Sequence, residues 1–268
     1  MISAKDIQQK ARKAIVRDTQ IEKDYVLTWV LCGISRQTNL YQALAFKGGT
    51  VLKKVYFEAY RYSEDLDFTL LNDQLTDKSI FNSFTQVFYW VLEKANIPLE
   101  VTKNHVHKRG SINFHISYIG PLGGQGMQKR IKVDITRGER LEFIPIKKQV
   151  LVSYDDMDPF SLLCYPLEEV LIEKMCALMG RTEPRDLYDL WYLLEIEQLK
   201  VEYYWSEFVS KARHKGMDIT QFTAKIGGKI QGFKARWEGS LASQIHSLPP
   251  FDQVIRELGK HFRKMNTF

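Results

Sequence analysis

Cysteine is scarce in this chain. Only Cys32, Cys164 and Cys176 occur among 268 residues, an odd and scattered set whose spacing matches no metal-ligand pattern. That argues against a disulfide framework or a structural zinc site, and a reducing cytoplasm is the simplest setting. Long apolar runs are missing as well. The most apolar stretch, Tyr25 to Ile34, is far short of the ~20 residues that span a bilayer, so no membrane partner is expected. The opening residues MISAKDIQQKARKA are charged and lack the apolar core of a signal peptide. No fixed-period repeat or low-complexity tract appears. Neither GxxxxGK[ST] nor GxGxxG is present, which excludes a Walker P-loop and a dinucleotide fingerprint.

What is there describes an ordinary globular protein: 44% hydrophobic, 12% aromatic and 26% charged residues. Such a chain can bury a sizeable core as one large domain or two smaller ones. The formal net charge of +6 and pI near 9.0 favour a polyanionic partner such as nucleic acid or nucleotide.

Hydrophobic periodicity organises the chain into an α/β half and an α half. The segment up to about Ser35 reads as helix. A short strand at Leu44–Phe46 meets Gly48-Gly49, and a helix follows from Thr50, with Leu52, Val55, Tyr56 and Ala59 as its buried stripe. Asp65–Leu71 reads as a strand and Asp77–Ala95 as a helix. Strands are expected at Leu99–Lys103, Ile112–Ile119 and Arg130–Thr136, the last two separated by a Gly-rich turn at Pro121–Gly126. After about Val152 the pattern becomes almost wholly helical, with helices at Leu167–Met179 and Pro184–Leu194 and more to the C-terminus. Pro184 suits a first helical turn. A boundary near Asp155–Pro159 therefore separates residues 1–155 from a helical domain, 156–268.

Four motifs carry chemistry. At Gly48-Gly49-Thr50, two glycines let the backbone pass close to a ligand, and the N–H groups opening a helix suit phosphate; a plain tight turn would look the same. In Ser63-Glu64-Asp65-Leu66-Asp67-Phe68, strand alternation puts Asp65 and Asp67 on one face and Leu66 and Phe68 on the other. Paired carboxylates on a strand repel unless a cation such as Mg²⁺ neutralises them, although solvated acids at a strand edge stay an open alternative. Asp134, in Lys132-Val133-Asp134-Ile135-Thr136, alternates in the same way. If its strand lies beside the first, three carboxylates converge and two metals can be held, a geometry suited to in-line displacement at phosphorus. Finally, Lys174 lies on the inward flank of its helix, where it either snorkels or meets an anion. Asp186 and Asp189 follow on one side of the next helix, where the helix dipole alone would favour acids.

Other clusters carry less. Asp155, Asp156 and Asp158 lack the glycine and glutamate of an EF-hand loop. His105, His107 and His115 have no fourth ligand at a suitable spacing. Lys225, Lys229, Lys234 and Arg236, around Phe233 and Trp237, read as a solvated helix face with core aromatics rather than as an RNA surface.

In order, these pieces resemble one family along nearly the whole chain. FKGGTVLKKVYFEAYRYSEDLDFTL, KVDIT, LEEVLIEKMCALMGRTEPRDLYDLWYLL and RWEGSL…LPPFDQV are similar to the signatures of the AbiEii/AbiGii-type nucleotidyltransferase toxins, which include the MenT proteins. The resemblance implies an α/β (α+β) DNA-polymerase-β-like nucleotidyltransferase core with a mixed sheet, followed by an all-helical C-terminal half. It assigns Gly48, Gly49 and Thr50 to the triphosphate and Asp65 and Asp67 to metal. Asp134 becomes the third carboxylate and an aid to deprotonating the acceptor hydroxyl. Lys174 would contact the nucleotide phosphates and Asp186 would complete the site. Lys54, Ser63 and Arg61 also match, the first two placed with the nucleotide-binding residues. The cofactor implied is Mg²⁺ in a two-metal site, with Mn²⁺ as an alternative. The partners implied are an NTP, an RNA acceptor expected to be a tRNA 3′ end, and a cognate antitoxin. A protein or small-molecule acceptor, and a nucleotide- or RNA-binding module without turnover, are the alternatives.

Overall fold

The structure, a computed structural model, describes residues 1–106, 110–124 and 129–265, the side chains of 103–106 excepted. The expected turn at Pro121–Gly126 falls partly outside these residues, and His107 wholly so. The chain forms two compact units, Met1–Glu139 with Pro145–Tyr165, and Arg140–Ile144 with Pro166–Phe268.

In the first unit, α1 (Ala4–Ala14) and α2 (Asp18–Arg36) replace the single N-terminal helix read from the sequence. Ser3 caps α1 in a reciprocal capping box with Asp6, and Ile15 ends it in the left-handed conformation. After α3 (Thr38–Ala43), β1 (Leu44–Lys47) runs into a short α4 (Gly48–Val51), which continues as a π-helical turn, Leu52–Tyr56. There the expected helix is cut short: the Phe57 N–H bonds back to Leu52 O. Val51, Leu52 and Val55 are buried, but Tyr56 is only half-buried and Ala59 is exposed.

The remaining elements of this unit are β2 (Asp65–Leu70), α5 (Asp77–Ala95), β3 (Leu99–Val106), β4 (Ile112–Tyr118), β5 (Arg130–Thr136), β6 (Ile146–Gln149) and β7 (Ser161–Cys164). They complete a mixed seven-stranded sheet in the order β3-β4-β5-β2-β1-β7-β6. Neither β6 nor β7 was expected from the pattern. The sheet therefore continues past the expected boundary, because β7 lies parallel to β1 and takes β6 as its antiparallel neighbour.

One sheet face is apolar. Leu66, Phe68, Phe114, Ile116, Val133 and Ile135 are at most 1% exposed, and from α5 Phe84 and Phe81 meet Phe114 edge-on, 5.0 and 5.3 Å between ring centroids. Burying such side chains contributes roughly 1.5–3 kcal/mol each. The register is thereby fixed, since a slip of one residue would turn the acids of β2 and β5 into this core.

The second unit is helical: α6 (Leu167–Gly180), α7 (Pro184–Trp191), α8 (Trp205–His214), α9 (Phe222–Gly227), α10 (Ile230–Leu241) and α11 (Phe251–Met265), with short π and 3₁₀ turns between. Pro184 opens α7. Phe233 and Trp237 are buried in its core. Lys229 donates to the carbonyls of Leu178 and Met179 (3.0 and 2.9 Å), closing the C-terminal turn of α6. Among the described residues no helix is long and apolar enough to cross a membrane.

Candidate active site

The opposite face of the sheet is polar, and its register brings the predicted acids together. Asp67 on β2 stands directly beside Asp134 on the parallel β5, and Asp65 beside Lys132. The row extends to Lys47 on β1, opposite Asp67, and to Asn113 on β4, opposite Asp134. Neighbouring strands are about 4.8 Å apart, so these carboxylates share one small field. Glu64, out of step with the alternation, instead pairs with Lys23 at 2.8 Å.

Lys132 joins them. Its ammonium forms an ion pair with Asp134 Oδ2. Burial alone would lower its pKa, but the bond to Asp134 and the charges of Asp134, Asp65 and Asp67 outweigh that and raise it. A cation on this face thus interacts favourably with all three acids. The donor set is the hard, oxygen-rich kind that suits Mg²⁺. As the side chains stand, no group of three His, Cys, Asp or Glu among the described residues is gathered as a ready metal site, and Lys132 already engages Asp134.

The glycine turn is built around Asp67. Gly48 has φ +79°, and a β-carbon there would stand 2.3 Å from Asp67 Oδ2. Only glycine lets the backbone pass the carboxylate this closely. Thr50, 1% exposed, bonds to Asp65 O (2.5 Å) and to Ser63 Oγ (2.7 Å), so both hydroxyls pin the turn to the start of β2. Lys47, opposite Asp67, lies 3.8 Å from Glu139 and faces the Tyr165 ring, while the Tyr165 hydroxyl is 2.5 Å from Thr69 Oγ1.

Lys54, which the resemblance places with the nucleotide-binding residues, is paired inside the first unit. Its ammonium, 3% exposed, is held 2.6 Å from Asp24 on α2, whose Oδ2 also accepts from the Tyr154 hydroxyl at 2.7 Å. It ties the π-helical turn to α2, and Asp24 already neutralises its charge there. Arg61, also 3% exposed, donates to its neighbour's carbonyl, Tyr62 O, at 3.3 Å.

Within the second unit the structure brings together Lys174 and Asp186. Lys174 Nζ is 2.8 Å from Asp186 Oδ1 and 2.7 Å from Asp189 Oδ2, so the lysine meets an anion rather than snorkelling. Arg181 adds a two-pronged contact with Asp186, at 2.6 and 3.1 Å. Desolvation would raise the Asp186 pKa, but Lys174 and Arg181 together lower it. A second buried pair, Lys211–Glu169 at 2.6 Å, fixes the Arg140–Ile144 segment: Lys211 donates to Arg140 O, and Glu169 accepts from the Glu142 and Phe143 N–H groups.

Sequence reasoning gave no role to Lys132, Lys47 or Glu139 and undervalued Asp189. For Lys132 a signal existed, since it lies two residues before Asp134 and so on the same strand face. For the Lys47–Glu139 pair, separated by most of the first unit, there was none.

These features of the sheet set the chain beside known proteins. The family model of the nucleotidyl transferase AbiEii toxin of type IV toxin–antitoxin systems matches residues 29–257. The chain belongs to that family. As an AbiEii-family member it is a nucleotidyltransferase, a class whose substrate is a nucleoside triphosphate, and the family's system implies a cognate antitoxin. Among solved structures, this AbiEii-type chain is similar to JHP933 from Helicobacter pylori, with a TM-score of 0.59 at 14% identity over 94% of each chain. It is also similar to MenT4, a nucleotidyltransferase toxin from Mycobacterium tuberculosis, with a TM-score of 0.52 at 18% identity over 74% of this chain and 73% of that one. At those identities the likeness establishes the fold. A comparison with curated protein sequences finds no match.

Proposed function

We propose that this AbiEii-family nucleotidyltransferase transfers NMP from an NTP to an RNA acceptor, with the tRNA 3′ end as the favoured site. The observation that supports this reading is the register of Asp65, Asp67 and Asp134 on one sheet face, with the Gly48 turn against Asp67. Asp65, Asp67 and Asp134 are the residues that would hold Mg²⁺, or Mn²⁺, singly or as a pair. Bound there, the metal would neutralise triphosphate charge and make the acceptor hydroxyl more acidic. The Gly48-Gly49-Thr50 backbone takes the phosphates in this reading, and Ser63 holds Thr50 in position for it. Asp134 receives the proton of the acceptor hydroxyl as its oxygen bonds to the α-phosphorus; the bond from that phosphorus to the β-phosphate oxygen breaks, and pyrophosphate leaves. Lys174 enters as a phosphate contact through the family resemblance alone, with Asp186 and Asp189 holding its ammonium.

The test is incubation with each labelled NTP, Mg²⁺ and total RNA. A discrete labelled RNA band is expected, with Asp67→Ala losing all but a trace of it. Absence of label with every NTP, or equal label from Asp67→Ala, sinks the reading. Label that survives ribonuclease and yields to protease would point to a protein acceptor. NTP binding without pyrophosphate release would leave only a binding module.

A further inference from the structure

Lys132 is the residue on the polar face whose position asks for a purpose. It sits opposite Asp65 on β2 and opposite His115 on β4, on the same side of β5 as Asp134. A lysine with 41% of its side chain exposed has open water within reach of its flexible stem. Instead it folds back on its own strand, and its ammonium pairs with Asp134 Oδ2. The two side chains lie two residues apart on one face of β5.

This contact has a consequence for cation binding. An ammonium on Asp134 Oδ2 uses lone-pair capacity that a metal would need, and its charge repels a divalent cation held by the same acids. We propose that Lys132 is the built-in counterion of the carboxylate set, competing with divalent metal for Asp134 and so setting the metal's affinity. The inference rests on the reading of Asp65, Asp67 and Asp134 as metal ligands. It makes Lys132 a positioning residue: the swing of its ammonium off Asp134 is part of the cost of cation entry.

Direct Mn²⁺ titration of the full chain without nucleotide, followed by the paramagnetic signal of the free ion, tests this. Lys132→Met should bind Mn²⁺ roughly fivefold more tightly than the parent, because a competing charge at a half-exposed pair is worth about that much. Lys132→Arg keeps the charge and should restore the parent affinity to within about twofold. A lysine with only a structural role predicts no gain on removal. Equal or weaker binding by Lys132→Met, with Mn²⁺ still held by the parent, overturns the inference and leaves the metal site standing. No Mn²⁺ binding by the parent, even with a non-hydrolysable NTP analogue, overturns the metal-site reading itself and the inference with it. Should Lys132→Met not fold, Lys132→Gln carries the same comparison.

Discussion

At Gly48 the backbone and a site carboxylate are closer than any other side chain would allow. With φ at +79° and Asp67 Oδ2 2.3 Å from where a β-carbon would stand, alanine there meets two penalties at once. The left-handed conformation costs about 1–2 kcal/mol, and the carboxylate must turn away. Gly48→Ala should therefore lose about 2 kcal/mol or more of stability, measured by denaturant unfolding. Because an ~1 Å misplacement of a reacting group can cost ~100-fold, transfer by the folded fraction should fall by about that factor. Gly239→Ala on α10, where nothing lies within 4 Å, is the control and should be neutral or slightly stabilising. Much of this site was legible because strand alternation is a short-range rule: spacing alone gives Asp65 and Asp67 a common face, while Asp134 joins them only through the pairing of β2 with β5. What spacing did not disclose was that the glycine serves Asp67 sterically, a contact made across β1 and β2. Nor did it disclose that the Thr50 hydroxyl is spent on Asp65 O and Ser63 Oγ.

Between elements, long-range charge pairs set the geometry, and these were the least legible features. Lys54 falls inside a motif that invites a phosphate, yet its partner, Asp24, is thirty residues upstream on α2. Nothing local marks that pairing. Removing one member of a buried pair strands the other, at about 3–5 kcal/mol. Lys54→Met should unfold at a clearly lower denaturant midpoint, with Asp24→Leu added to it recovering much of the loss. If the folded fraction of Lys54→Met keeps the parent KM for NTP, Lys54 is a structural cation; a KM raised tenfold or more would return it to the nucleotide. Elements were read best where periodicity had room. The bounds of α5 and β5 agree with the expected Asp77–Ala95 and Arg130–Thr136. β6 and β7, at four residues each, are too short to show a period, and β6 is wholly exposed and carries no apolar signal. The helix after Gly48 is shorter than its apolar spacing implies, because the π-helical turn ends at Tyr56 while the spacing runs on to Ala59.

For the molecule as a whole, the charge balance bears on the acceptor. The chain carries 38 Lys and Arg against 32 Asp and Glu, and among the described residues the buried bases, Lys47, Lys54, Arg61, Lys174 and Lys211, are matched in number by the buried acids, Glu22, Asp24, Glu169, Asp186 and Asp189. Burial among the described residues therefore leaves the formal excess of +6 undiminished. An RNA acceptor held by exposed Lys and Arg releases counterions on binding, so its affinity must fall with salt. Asp67→Asn keeps the fold while separating binding from transfer. Its affinity for the labelled acceptor RNA should drop roughly tenfold or more between about 50 and 200 mM salt, with log K linear in log salt concentration. A protein or small-molecule acceptor needs no such surface. In that case RNA binding by Asp67→Asn should be weak at every salt concentration, and transfer by the parent should be indifferent to added RNA. The salt slope decides between the acceptors without knowledge of which RNA is modified, because it counts phosphate contacts rather than bases.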